Sequence, residues 1–151
     1  MAPMVSSIEI ARRPDEVFAY VTDPSRFGEW QRDVVAVRLE AGRPGQVGSR
    51  FTTTRRIGGR ERTMTQEVTE SSAPRCWAAR AVGGPVRPNA TVTVEPLGDG
   101  AGSRVSFSLD FEGHGIGRPL LPVVRRQAQR AAPVSYRTLK QLLERGAGLR
   151  G

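Results

Sequence analysis

A single cysteine, a single histidine and a single lysine occur in this chain of 151 residues. With Cys76 alone, no internal disulfide can form. One cysteine and one histidine, His114, cannot assemble a protein-built zinc site. No apolar run approaches the ~20 residues of a membrane-spanning helix. The opening MAPMVSSIEI has no basic segment leading into an apolar one, so no signal peptide is read, and the cytoplasm is the simplest compartment. There is no Gly-x-Ser-x-Gly elbow. GHGIG and GDGAG lack the full spacing of a nucleotide-binding loop, and GDGAG reads as a hairpin turn. Neither a metal nor a cofactor is expected.

What is abundant is arginine. The net charge is +8, and all but one of the 23 basic residues are arginine, the exception being Lys140. A basic excess can serve nucleic acid or an anionic membrane. Here the arginines run from Arg12 to Arg150 without forming a block, as a GC-rich coding sequence would produce. No RNP aromatics, zinc-finger spacing or basic-zipper heptads accompany them, so no nucleic-acid partner is expected. Apolar residues make up 38%, with 17 glycines and 11 prolines. That composition fits one globular, turn-rich domain spanning 1–151, with residues 147–151 expected to lack order.

The local periods divide the chain. Ile8 and Ile10 alternate over residues 4–11, a strand. Pro14 suits a first helical position, with Asp15 and Glu16 where the helix dipole favours anions. Val17, Phe18, Tyr20 and Val21 give that helix an apolar side. Asp23 can cap a second short helix begun by Pro24. Phe27 and Trp30 share its face.

After Trp30 the period becomes two, predicting strands at 33–40, 49–57, 60–71, 75–82, 89–97 and 103–112. RPGQVG is a turn, Gly58-Gly59 a hairpin signal, and GGPVRPN a longer turn. Val105, Phe107, Leu109 and Phe111 show the clearest alternation. In the strand 75–82 either Cys76 or Trp77 faces inward, and Trp77 is chosen. From Arg118 to Arg145 the period returns to 3.6, with a stripe of Val124, Ala128, Ala131, Ser135, Leu139 and Leu142. Pro133 predicts a kink or break near Ala132.

The order is strand, two short helices, six antiparallel strands, one long helix. In that order the residues Ile10-Ala11-Arg12-Arg13-Pro14-Asp15-Glu16-Val17-Phe18, Asp23-Pro24, Trp30, Pro44-Gly45, Gly48-Ser49-Arg50-Phe51, Glu67-Val68-Thr69-Glu70, Gly102-Ser103-Arg104-Val105 and Leu139-Lys140-Gln141-Leu142-Leu143-Glu144 carry a resemblance. The chain resembles the START-like (SRPBCC) superfamily, and within it the polyketide cyclase/dehydrase and lipid transport group. The resemblance implies an α+β helix-grip fold. In it a curved seven-stranded antiparallel sheet wraps a C-terminal helix, and two short helices close one end.

Small residues on the first half of the last helix, facing a curved sheet, leave volume unfilled. The expectation is an internal cavity. Its aromatic lining would be Trp30, Phe51, Trp77, Phe107 and Phe111. Aliphatic lining would come from Met64, Val68, Val92, Val94, Leu109, Val124 and Ala128. Strand parity also turns Thr53, Arg55 and Gln66 inward. The alternative is that the aromatics fill the space themselves. An inward Arg55 needs a carboxylate or phenolate from protein or ligand; otherwise it is a solvated arginine at a strand end.

Three functions follow. The first is binding of a small hydrophobic or amphipathic molecule such as a lipid, polyketide or isoprenoid. The second is a cyclase or dehydratase using Arg55, His114 or Tyr136, although His114, just after the last strand, reads more readily as an exposed turn histidine. The third is docking on a protein partner or an anionic membrane through Arg118, Arg125, Arg126, Arg130 and Arg137. Monomer and dimer stay equally open.

Overall fold

The structure is a computed structural model that describes residues 3–43 and 45–146. Pro44, inside the expected RPGQVG turn, and the tail 147–151, expected to lack order, lie outside the described residues.

Seven strands form one antiparallel sheet: β1 (Met4–Ile10), β2 (Val34–Ala41), β3 (Arg50–Ile57), β4 (Arg60–Ser72), β5 (Cys76–Ala81), β6 (Val86–Leu97) and β7 (Gly102–Gly113). The spatial order is β1-β7-β6-β5-β4-β3-β2. Consecutive hairpins place β2 to β7 side by side, and β1 pairs with β7, opposite Leu109 at Met4 and Ser103 at Ile10. Gly58 and Gly59 join β3 to β4 with φ of 62° and 79°. Two successive positive φ values are what a tight right-twisted hairpin requires, and glycine meets them without strain. The strand β6 begins three residues before the expected 89, so the preceding turn shrinks to 82–85.

Helix α1 (Pro14–Val21) and helix α2 (Phe27–Trp30) are separated by a 3-10 turn at Pro24–Arg26. Asp23 caps that turn, its carboxylate accepting from the Ser25 N–H at 3.0 Å. Val17, Phe18, Tyr20 and Val21 are buried, as their spacing predicts.

Helix α3 (Leu121–Glu144) is continuous through Pro133. Of the expected kink or break, the break is thus corrected. Pro133 is exposed, so its ring lies on the solvent side and water can take the carbonyl it leaves without a donor. The helix is also held at both ends. At its C-terminus Arg12 donates from Nε to the Leu143 carbonyl at 2.7 Å and from Nη2 to the Glu144 carbonyl at 3.0 Å. The Ala11 N–H donates to the Glu144 carboxylate at 2.9 Å. A cation on the last carbonyls suits the helix dipole.

The core is in two parts. The larger gathers the α1–α2 corner, the closed end of the sheet, Leu139 and Leu143. The smaller contains Ile57, Met64, Val86 and Val124, with Phe111, Leu120 and Leu121 against it.

Candidate functional site

Between the two core clusters lies a cavity of about 140 Å³, partly open to solvent. The sequence makes this gap. Across it α3 presents Ala128, Ala131, Ala132 and Ser135, and the sheet presents Trp77, Val92, Phe107, Leu109 and Phe111. Four short side chains cannot reach a concave sheet, although Val124 and Leu139 on either side are long enough to be buried against it.

Of the residues expected to line a cavity, Trp30, Arg55, Met64, Gln66, Trp77, Val92, Phe107, Leu109, Phe111, Val124 and Ala128 border it. Phe51, Thr53, Val68 and Val94 do not, and this corrects their placement. They are at most 1% exposed and sit in the solid part of the interior. Their strand parity is inward, but α1 and α2 cover the sheet there. Phe51 stands edge-on to Phe27 at 5.7 Å and stacks with Trp77 at 6.3 Å. Thr53 supports the wall from behind, its hydroxyl donating to Gln66 Oε1 at 3.4 Å. Trp77 faces inward and Cys76 outward, half-buried.

One wall is aromatic. Tyr136 stacks on Phe107 with centroids 4.0 Å apart and ring planes 10° from parallel. Trp30 leans on both rings at 6.1 and 6.5 Å. The indole N–H groups of Trp30 and Trp77 are buried and have no hydrogen-bond partner among the described residues. Each stands edge-on to Phe27.

The opposite flank is polar. Arg55 points inward, as its parity predicts, and finds its partner in the protein. Its Nη1 donates to Asp33 Oδ1 at 2.8 Å, and its Nη2 donates to Gln31 Oε1 at 2.5 Å. Side-chain exposures of 22% and 17% for Arg55 and Asp33 make this a half-buried pair. Asp33 and Gln31 enter from the link after α2, which the sequence reading does not single out. The signal is present: an inward arginine requires a nearby carboxylate, and Asp33 is the acid nearest the strand partner of Arg55, since Val34 pairs with Arg55. Arg55→Met leaves Asp33 half-buried and unpaired, with an expected loss of about 1–3 kcal/mol. Urea denaturation checks this, and Asp33→Asn in the Arg55→Met background should recover part of the loss.

Burial pushes the Tyr136 phenol up to about 12, against the opposing pull of the Arg55 charge. Tyr20 is also raised, by burial and by its hydrogen bond to Glu29. The sign follows from the neutral form being favoured in the fold. For Tyr136 that contribution is fully present below the ordinary tyrosine pKa near ~10 and lost as pH rises toward about 12. With only two tyrosines, the native protein should show little phenolate absorbance somewhat above pH ~10, while the urea-unfolded protein shows both.

His114 borders none of this. It is exposed at the end of β7, with Nε2 3.8 Å from the Glu112 carboxylate. This is the exposed turn histidine that its place in the sequence favours, and the alternative of a proton-transfer role at the cavity mouth is not supported by its position. Among the described residues no group of His, Cys, Asp and Glu could hold a metal ion. No described helix is long and apolar enough to cross a membrane.

The fold has many relatives of known structure. The Zhui aromatase/cyclase of Streptomyces sp. R1128 superposes with a TM-score of 0.80 at 14% identity, over 95% of this chain and 93% of that one. A Thermus thermophilus protein gives 0.77 at 16% identity, over 96% of this chain and 99% of that one. The di-domain aromatase/cyclase BexL of the BE-7585A biosynthetic pathway gives 0.72 at 20% identity, over 95% of this chain. This chain spans about half of BexL, 47% of its length. At these identities the likeness shows the helix-grip fold alone. No curated protein matches. The family model described as polyketide cyclase / dehydrase and lipid transport matches residues 1–144. The chain belongs to that family.

Proposed function

We propose that this protein binds a small hydrophobic or amphipathic molecule, such as a lipid, polyketide or isoprenoid, between α3 and the sheet. The observation that carries the reading is the cavity of about 140 Å³ opposite Ala128, Ala131 and Ala132. The cavity is partly open, so water wets its apolar wall, and a ligand would bury that wall again. A space of this size takes about one benzene ring. A larger ligand therefore needs the wall to move. The aromatic wall supplies apolar contact, and Gln66, Arg55 and Gln31 supply the few polar groups that orient a bound molecule.

Native mass spectrometry of protein purified without detergent tests the reading, together with thermal shift against lipids and aromatic polyketides. A stoichiometric passenger or a saturable upward shift is expected. An empty protein indifferent to the whole panel would overturn it.

The polar flank favours a second reading, a cyclase or dehydratase acting on a bound polyketide. A guanidinium held by Asp33 and Gln31 can donate to a carbonyl oxygen that gains charge when its α-carbon loses a proton. Tyr136, protonated at neutral pH, can donate but not accept a proton from carbon. Arg55→Lys keeps the charge and loses the fork that Asp33 and Gln31 hold in place. Turnover should fall at least about tenfold, with ligand affinity changed much less. Equal turnover in both proteins would remove Arg55 from the chemistry.

A further inference from the structure

We propose that the loop end of the molecule, beside the start of α3, docks on an anionic lipid surface. This inference does not depend on what occupies the cavity. Three connections converge at that end: the β3–β4 turn, the β5–β6 turn and the link from β7 to α3. Gln127 ties the first to the helix, accepting from the Gly58 N–H at 3.0 Å and donating to the Arg56 carbonyl. The Pro85 carbonyl ties the second to the third, accepting from the His114 N–H at 2.8 Å. Beneath them lies the smaller core cluster.

The outer surface of these connections is apolar at its tips. Ile116 is 78% exposed, Val123 51% and Val82 37%. Single exposed apolar residues are ordinary. Val82 and Ile116 stand on adjoining connections and Val123 on the first turn of α3 beside the Gly58 turn, so three exposed apolar side chains share this end.

Basic residues dominate the charge around the patch. No aspartate or glutamate occurs from Gly113 to Leu143, nor from Ala73 to Val94. Arg60, Arg118 and Arg126 are exposed there. Carboxylates at this end are each beside a basic group: Glu61 at 3.5 Å from Arg56, Glu112 at 3.8 Å from His114 and Asp110 at 3.8 Å from Arg125. Projecting apolar tips among arginines match a headgroup layer over an acyl boundary, where the tips enter and the cations meet phosphate. An acidic protein would satisfy the charges, but it would need a recess to receive the tips.

Vesicle co-sedimentation tests the proposal, with phosphatidylcholine alone against phosphatidylcholine carrying roughly a third phosphatidylserine. Binding should require phosphatidylserine and weaken with salt. Each arginine near the surface contributes roughly fivefold in partitioning. Arg118→Glu with Arg126→Glu should therefore cut binding more than about tenfold, as should Ile116→Asp. Arg75→Glu makes the same kind of charge reversal at the opposite end of the sheet and should change binding less than about twofold. All these side chains are exposed, so the variants should keep the native melting curve. Binding that ignores phosphatidylserine, or that Arg75→Glu lowers as much as Arg118→Glu, would overturn the proposal. So would tighter binding to an acidic peptide than to the vesicles, which would make the partner a protein.

Discussion

Ala128→Phe is expected to abolish ligand uptake and leave the fold intact. Ala128 stands on α3 at the centre of the cavity's helical wall. A phenyl group is one benzene ring, the occupant that a space of this size holds. The substituted ring should fill the cavity and exclude anything else, with affinity lost by at least about 100-fold for a ligand that needs the space. Filling the cavity also buries its apolar wall, so stability should be unchanged or higher by about 0.5–2 kcal/mol. Isothermal titration and urea unfolding read the two effects separately. Unchanged affinity would place the ligand elsewhere. A stability loss of several kcal/mol would mean the wall is too rigid to take the ring.

Gly117→Ala should be the most destabilising single-methyl change in the chain. A Cβ at Gly117 would lie 1.8 Å from the Pro85 carbonyl oxygen and 2.3 Å from its carbon. These are backbone atoms, and the same oxygen is held by the His114 N–H. Neither segment can yield without breaking that bond or lifting the start of α3, with Leu121 and Val124, from Val86. The expected cost is about 3 kcal/mol or more. For a chain of this length that lowers Tm by roughly 6–12 °C. A drop of under about 2 °C would show that the β5–β6 turn moves freely against the helix. The same substitution should weaken vesicle binding if the two connections act together, since it separates the turn carrying Val82 from the segment carrying Ile116.

The elements were legible because they rest on local periods. The alternation of Val105, Phe107, Leu109 and Phe111 is the register of β7, and all four face inward. Pro14 with Asp15 and Glu16 begins α1 where expected. The choice of Trp77 over Cys76 could be made because burying an indole gains more than burying a thiol. Even the cavity was implied, by alanines where a packed helix would carry leucines.

Other features depend on distances that a sequence does not contain. Parity gave Phe51, Thr53, Val68 and Val94 the same inward sense as Met64 and Gln66. Whether an inward residue meets a cavity or solid core depends on how far the sheet curves and which element covers it. Here α1, α2 and Leu139 cover one end and leave the other open. Arg55 was known to need an anion, but its partners, 22 and 24 positions away, are set by where the link after α2 lands on β3. His114 could be placed on an exposed turn from its position after the last strand, but only the structure shows that it does not border the cavity.

Pro133 shows the division most clearly. Its ring alone dictates that α3 loses one backbone hydrogen bond at that point. That the helix nevertheless runs on through it is a result of packing. Burial at Val124, Leu139 and Leu143, with Arg12 on the final carbonyls, outweighs one missing donor on a face open to water.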